Sequence, residues 1–239
     1  MNKKQMDRLI IIFVILAIIS LFYPPIDNFL EDTFSAKENV LVERVIDGDT
    51  IDTGIGSIRF LGINTPERGE LYYNEAKVFL ETEILNKTVE LEFARERYDK
   101  YNRTLAYVFY ENRNINVDLV ENGFANYYFY DGRDKYSNEL EDAWDKCINN
   151  KINLCEPSSN ICKSCISINK NYLINNCGFT CDIKNWTIKG EGREIFTFNQ
   201  TLAQGQQEGF ELDLTDSGGS LFLRDSDGKL VLWKRYSSI

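Results

Sequence analysis

No histidine occurs anywhere in the 239 residues. That removes the commonest general base, the Ser-His-Asp and Cys-His arrangements, and every imidazole-based metal site. Positive charge is also short: 27 Lys and Arg stand against 37 Asp and Glu, a net charge of -10. Such a chain carries no basic coat for non-specific nucleic-acid wrapping, although a small site with its own local charge is not excluded. Internal repeats and biased, disorder-prone tracts are absent, and the apolar content is ample for a core. The chemistry left open uses carboxylates, Arg, Lys, Tyr, Ser, Thr, Cys or a metal.

The first 26 residues stand apart. Lys3, Lys4 and Arg8 precede an uncharged run from Leu9 to Ile26, whose strongly apolar part ends at Tyr23 before Pro24 and Pro25. The positive flank favours a signal-anchor that stays inside while the remainder is exported. A cleaved signal peptide is the other reading, with Phe34–Ala36 as a distant small-residue site. No cysteine sits there for lipid attachment. Both readings place the bulk of the chain outside the cytoplasm, either membrane-anchored or secreted. Residues 27–39 then form a linker.

Six cysteines, Cys147, Cys155, Cys162, Cys165, Cys177 and Cys181, crowd into one stretch. In an exported chain an even set points to disulfides. A zinc site made by Cys162-x-x-Cys165 and Cys177-x-x-x-Cys181 is the alternative. Cys147 on a helix can equally be a small core residue.

From residue 40 to 154 the pattern predicts short strands at VLVERVI, TIDTG, SIRFLGI, TVELEF and TLAYVFY, and helices near 74–85, over NVDLVENG and over NELEDAWDKCINN. TVELEF reads as half-exposed, with Val89, Leu91 and Phe93 inward and Glu90 and Glu92 outward, and RERYDKYNR as a polar connection. Five short, strongly turned strands with three helices fit a small barrel of the OB type. Residues 155–166 form a cysteine-rich junction. Residues 167–239 show strand patterns only (WTIKG, EIFTFN, GFELDL, SLFLRD, KLVLWKRY) and read as an all-β sandwich. The fold class expected is therefore mainly β.

Acids and arginines cluster at the bends of the first strands. In DGDT, Gly48 permits a tight turn that aims Asp49. A hairpin over Val45–Ile63 would bring Asp49, the Thr50 carbonyl and the Asn64 side-chain oxygen to one hard cation, Ca2+ or Mg2+, with Glu67 near enough to orient or deprotonate a water. Asp-Gly as a hairpin turn and NTPE as a helix start are the plainer readings. Arg59, in an otherwise apolar strand, needs an anionic partner if it points inward. Arg103 opens another strand. The two guanidiniums could clamp a phosphoryl group, or face solvent and pair with glutamates.

VIDGDT, IRFLGINTPE, YDKYNRTLAYVF and LVENGFANYY occur in the order and spacing of the staphylococcal nuclease-like (thermonuclease) family, which residues 40–154 therefore resemble. The resemblance implies an OB-fold barrel that hydrolyses DNA and RNA phosphodiester bonds with Ca2+ and leaves 3'-phosphate ends. It implies Asp49, the Thr50 carbonyl and Asn64 as metal ligands, Glu67 as the residue that holds or activates water, and Arg59 and Arg103 as the guanidiniums at the phosphate. It implies Lys100 and Tyr101 as substrate contacts, with Tyr128, Phe129 and Tyr130 as candidates for flanking a nucleotide. Asn64 departs from the pattern, since the family carries a carboxylate there. The lost charge implies weaker Ca2+ binding, which Asn64→Asp would be expected to tighten. Little sequence preference is expected, because aromatics stack on any base.

NWTIKG, IFTF, LAQGQQ and LFLRDSDGKLV resemble the lamin-tail family, an immunoglobulin-like sandwich in which Trp186 would anchor the core. That resemblance implies a role in cell-surface attachment. The competing reading of the whole chain is a nuclease-like nucleic-acid or surface-binding module without catalysis.

Overall fold

The computed structural model describes residues 12–13, 37–129, 132–192, 194–212, 214 and 219–236. Apart from Ile12 and Phe13, the N-terminal apolar run lies outside the described residues. Among those described, no helix is long and apolar enough to cross a membrane.

Strands β1 (Lys37–Val45), β2 (Thr50–Thr53) and β3 (Gly56–Phe60) form an antiparallel meander, followed by the short β4 (Ile63–Asn64). Helix α1 (Tyr73–Ile84) leads to β5 (Thr88–Tyr98), β6 (Thr104–Tyr110) and β7 (Arg113–Asn114), then to α2 (Ile115–Glu121), β8 (Asn126–Tyr127) and α3 (Ser137–Asn150). The sheet runs β3-β2-β1-β5-β6-β7, and β3 also pairs with β6, so five strands close into the expected barrel. Its interior is apolar, with Val42, Ile51, Ile58, Leu91 and Val108 all fully buried. Helix α1 lays Ala76, Leu80 and Ile84 onto the barrel, four residues apart on one face. Asn114 caps α2, its side chain accepting from the Asn116 and Val117 amides. Helix α3 buries Leu140, Ala143, Trp144 and Cys147 as one stripe.

Three local expectations are corrected. SIRFLGI is two strands, because Gly62 turns the chain at φ 70°, where a side chain would run into Leu140 and the Tyr107 hydroxyl. Strand β5 continues to Tyr98, which pairs with Thr104, so the polar connection shrinks to Asp99–Arg103. Glu92 is buried rather than outward, its carboxylate taken by Lys135 and the Tyr136 hydroxyl.

After 3-10 turns at Asn153–Cys155 and Ile161–Ser164, the rest is β among the described residues. Strands β9 (Ile166–Asn169), β10 (Tyr172–Asn175), β11 (Cys181–Asp182), β12 (Thr187–Lys189) and β13 (Ile195–Thr197) come first. They are followed by β14 (Thr201–Leu202), β15 (Gln207–Gly209), β16 (Gly219–Arg224) and β17 (Leu230–Tyr236). They make three small sheets, β13-β12-β16-β17, β15-β10-β9 and β11-β14, around Trp186, Ile188, Phe198 and Phe210. Among the described residues of the expected GFELDL strand, only Gly209 lies in a strand, as the end of β15. Cys162–Cys181 and Cys165–Cys177 cross-link this segment, and Cys147–Cys155 ties α3 to the junction. No free cysteine remains for a zinc site.

The barrel and the C-terminal sheets belong to one compact unit, Glu38–Ile239. Alternation along β16 explains the join: Leu221 and Leu223 face the second core, whereas Phe222 faces the barrel core with Leu230. Trp144 packs on Phe222 at 5.2 Å and on Trp233 at 6.1 Å. Arg224 donates to the Leu154 carbonyl at 2.6 Å, and the Tyr127 and Ser220 hydroxyls share a hydrogen bond.

Candidate active site

Strand register gathers the polar residues at one end of the barrel. Thr50 is the cross-strand partner of Arg59, and Arg59 lies beside Leu105 on the parallel neighbour β6, two residues past Arg103. Strand β4 pairs with β8, Asn64 opposite Asn126, which brings the NTPE segment to the same rim. Gly48 is needed here. A Cβ on it would come within 2.9 Å of both Ala76 and Thr65, so no other residue lets the DGDT turn reach α1 and NTPE.

Asp49 is 4% exposed and fully engaged. Its Oδ2 accepts from the Thr65 amide and hydroxyl, both at 2.9 Å, and lies 3.2 Å from Arg59 Nη2; its Oδ1 accepts from the Thr50 hydroxyl at 3.1 Å. The Asp49 amide donates to Asp47 Oδ1 at 3.1 Å. Burial, reinforced by the neighbouring Asp49 charge, raises the Asp47 carboxyl above the ordinary range.

Arg59 is 7% exposed. A buried guanidinium must be met by acceptors, and it is: Nη1 donates to the Phe60 carbonyl at 2.5 Å, while Nη2 donates to the Ile63 carbonyl at 2.8 Å and to Asn64 Oδ1 at 3.3 Å. Asn64 turns its other side toward the C-terminal region, with Nδ2 donating to the Glu191 and Gly192 carbonyls at 3.2 and 3.1 Å.

Arg103 sits at the rim, its side chain 21% exposed. It donates through Nε to Asp99 Oδ2 at 2.8 Å, pairs with the same oxygen through Nη2 at 2.6 Å, and reaches the Thr50 hydroxyl at 3.5 Å. Partial burial works against the Asp99 charge, but the Arg103 amide and guanidinium and the Tyr101 amide outweigh it and hold that carboxyl below the ordinary range. Thr50 thus joins the two arginine–aspartate pairs through its hydroxyl. Its carbonyl accepts the Ile46 and Asp47 amides inside the DGDT turn at 2.9 and 3.4 Å.

Asp49, Thr50, Arg59, Asn64 and Arg103 are therefore one cluster. Glu67 is half-buried three residues beyond Asn64, its amide donating to Glu70 Oε2 at 2.7 Å. Lys100 and Tyr101 form the exposed tip of the Asp99–Arg103 turn, where the Tyr101 ring lies under both Lys100 and Arg103, 5.2 and 5.5 Å away. Tyr128 donates its amide to the Gly62 carbonyl at 2.7 Å. The Phe129 ring stacks on Tyr127 at 5.2 Å, borders a 220 Å³ cleft with Arg133, Glu191 and Tyr236, and lies 5.3 Å from Arg133. Tyr130 lies outside the described residues.

Three contributors carry no sequence signal strong enough to select them. Thr65 reads as helix-start grammar, Asp99 as one acid in a polar connection, and Glu191–Gly192 stands 127 and 128 residues from Asn64. For a cation, the donor chemistry is hard oxygen: Asp49 Oδ2 and Asn64 Oδ1 converge on one point, now held by Arg59 Nη2 at 3.2 and 3.3 Å. Among the described residues, His, Cys, Asp and Glu gather in threes only at Cys162, Cys177 and Cys181, all disulfide-bonded.

A five-stranded OB-type barrel with a buried carboxylate and two guanidiniums at one end defines the class as nuclease-like. Residues 57–156 match the family model described as staphylococcal nuclease homologue. The thermonuclease of Staphylococcus intermedius is 38% identical over 129 residues, covering 50% of this chain and 77% of that protein. The thermonuclease of Staphylococcus hyicus is 35% identical over 117 residues, covering 45% and 69%. An uncharacterised endonuclease of Haemophilus influenzae is 36% identical over 94 residues, covering 37% and 52%. The chain belongs to the staphylococcal nuclease homologue family.

Proposed function

We propose that the chain is an extracytoplasmic, calcium-dependent nuclease that hydrolyses DNA and RNA with little sequence preference and leaves 3'-phosphate ends. The observation that carries this reading is the pair of oxygens, Asp49 Oδ2 and Asn64 Oδ1, meeting at Arg59 Nη2 while Arg103 reaches the same cluster through Thr50. Asp49, the Thr50 carbonyl and Asn64 would hold the cation, which neutralises charge on the phosphoryl oxygens when bound. Arg59 binds the phosphate and stabilises the charge that builds on it. Arg103, partly exposed and tied to Asp99 and Thr50, turns to the leaving oxygen. Glu67 orients the attacking water. Lys100 and Tyr101 contact the incoming strand, and Tyr128, Phe129 and Tyr130 flank a base.

Three disulfides support an oxidising, extracytoplasmic setting. Residues 1–26 would anchor or export the chain. The C-terminal region, with Trp186 buried at 1% exposure, would serve attachment as a lamin-tail-like sandwich.

A binding module without catalysis is the second reading, favoured by one observation: every polar hydrogen-bonding group of Asn64 is already engaged inside the protein. Incubating the full chain with end-labelled DNA and RNA, with Ca2+ and with a chelator, separates the two. Calcium-dependent fragments ending in 3'-phosphate support the nuclease, and retention without cleavage supports the binding module.

A further inference from the structure

Position 64 has two neighbours with opposite demands. On one side, Arg59 Nη2 needs an acceptor, which Oδ1 supplies at 3.3 Å. On the other, two carbonyl oxygens of the turn between β12 and β13, from Glu191 and Gly192, need donors, which Nδ2 supplies at 3.2 and 3.1 Å. A primary amide meets both. A carboxylate cannot donate, so an aspartate in its place would press an oxygen against two carbonyl oxygens at hydrogen-bond range, with the Asn64 environment nearly closed to water at 3% exposure.

The same hairpin is fastened to the site at two further points. Lys189 Nζ lies 3.0 Å from both Glu70 oxygens, and Glu70 Oε2 in turn accepts the Glu67 amide at 2.7 Å. Glu191, 5% exposed, accepts the Phe129 amide through Oε2 at 3.3 Å. One hairpin of the C-terminal region thus touches the segments of Asn64, Glu67 and Phe129.

We propose that the Glu191–Gly192 turn is a positioning element of the catalytic end of the barrel: its two carbonyls require an amide at position 64 and lock that amide with its oxygen facing Asp49 and Arg59. The C-terminal region is then part of the site as well as an appendage to it, and Asn64 is matched to that turn. The inference deepens the nuclease reading and rests on it only for its catalytic consequence; the match between amide and turn stands on the hydrogen bonds alone. It also reverses the expectation for Asn64→Asp, since the added charge meets the turn's carbonyls as well as any cation.

A thermal-unfolding cycle on the full, cation-free chain tests it. Asn64→Leu and Asn64→Asp are each made with the native turn and again with Lys189→Met or, separately, Glu191→Ala, which loosen the turn without touching its carbonyls. With the native turn, Asn64→Asp should lower the Tm by roughly 3–6 °C more than Asn64→Leu, and loosening should shrink that gap by at least half. Equal costs for the two substitutions, or a gap that survives loosening because it comes from Asp49 alone, would overturn the proposal. Calcium calorimetry on the same proteins gives the sign: loosening should weaken binding severalfold where Asn64 is native and strengthen it in the Asn64→Asp variant. Loosening that weakens both overturns the matching. If calcium binds none of the variants, the nuclease reading fails and the cation-free cycle still decides the role of the turn.

Discussion

Two Asp–Arg pairs face each other across Thr50, and they live in different media. Asp49–Arg59 is inside, with side chains 5% and 8% exposed; Asp99–Arg103 is at the rim, 17% and 21% exposed. The inner guanidinium is fixed by two carbonyls, a carboxylate and an amide oxygen, whereas the outer one is held by a carboxylate and a distant hydroxyl. Burial makes the inner pair rigid and costly to break; exposure leaves the outer pair screened and movable. The proposed nuclease chemistry, which holds a phosphate and releases a leaving group, calls for one of each.

The largest difference should appear on removing the acids. Asp49→Ala leaves a buried guanidinium without its counter-charge and should cost about 3–5 kcal/mol in urea unfolding, while Asp99→Ala should cost about 1 kcal/mol or less. Equal costs would erase the distinction. Next come the arginines. Arg59→Lys loses the planar fork that reaches several acceptors at once and should lower kcat by roughly 10²–10³-fold; Arg103→Lys, one donor among few, should cost about tenfold or somewhat more. Single-turnover cleavage checks both, and a reversed order would exchange their roles.

Glu191 places the C-terminal turn on the interior side of the comparison. Burial, opposed by the Phe129 and Ser220 amides, pushes its carboxyl up to about 7. The unfolded chain loses this proton near pH 4.5 and the folded chain keeps it to about 7, so stability falls as pH rises through that window. Glu191→Gln should therefore leave stability near pH 4 unchanged and raise it above pH 7 by roughly 2–3 kcal/mol, read from urea midpoints at the two pH values. A pH-independent effect would return the turn to the surface class. The smallest test is salt. At about 1 M NaCl the cost of Asp99→Ala should shrink toward that of its hydrogen bonds to the Tyr101 and Arg103 amides, while that of Asp49→Ala persists, because the Debye length falls to about 3 Å and the rim pair is the more screened.

The barrel is legible because short apolar strand runs are punctuated by turn residues, because α1 and α3 carry apolar stripes, and because the motif blocks keep their spacing. Asp49, Arg59, Asn64 and Arg103 could be named from those blocks. What the sequence hid has a physical pattern. Thr65 acts through a backbone amide and a hydroxyl that any NTPE helix start would carry. The Thr50 hydroxyl adds contacts to both arginine–aspartate pairs that the motif, which points to its carbonyl, does not contain. Strand β5 outran its polar residues because pairing with Thr104, not side-chain polarity, sets its end. The turn at Glu191 is a long-range contact made by main-chain carbonyls, which no side-chain pattern encodes.

The proposed chemistry, a cation held by Asp49, the Thr50 carbonyl and Asn64 working with Arg59 on a phosphodiester, is tested by calcium-dependent cleavage of end-labelled single-stranded DNA by the full chain and by its Arg59→Ala variant. The native chain should produce 3'-phosphate fragments that stop with chelator, and Arg59→Ala should remain folded and lose at least about 10²-fold in rate. Cleavage that persists in chelator, or an Arg59→Ala chain that cuts at the native rate, would contradict it.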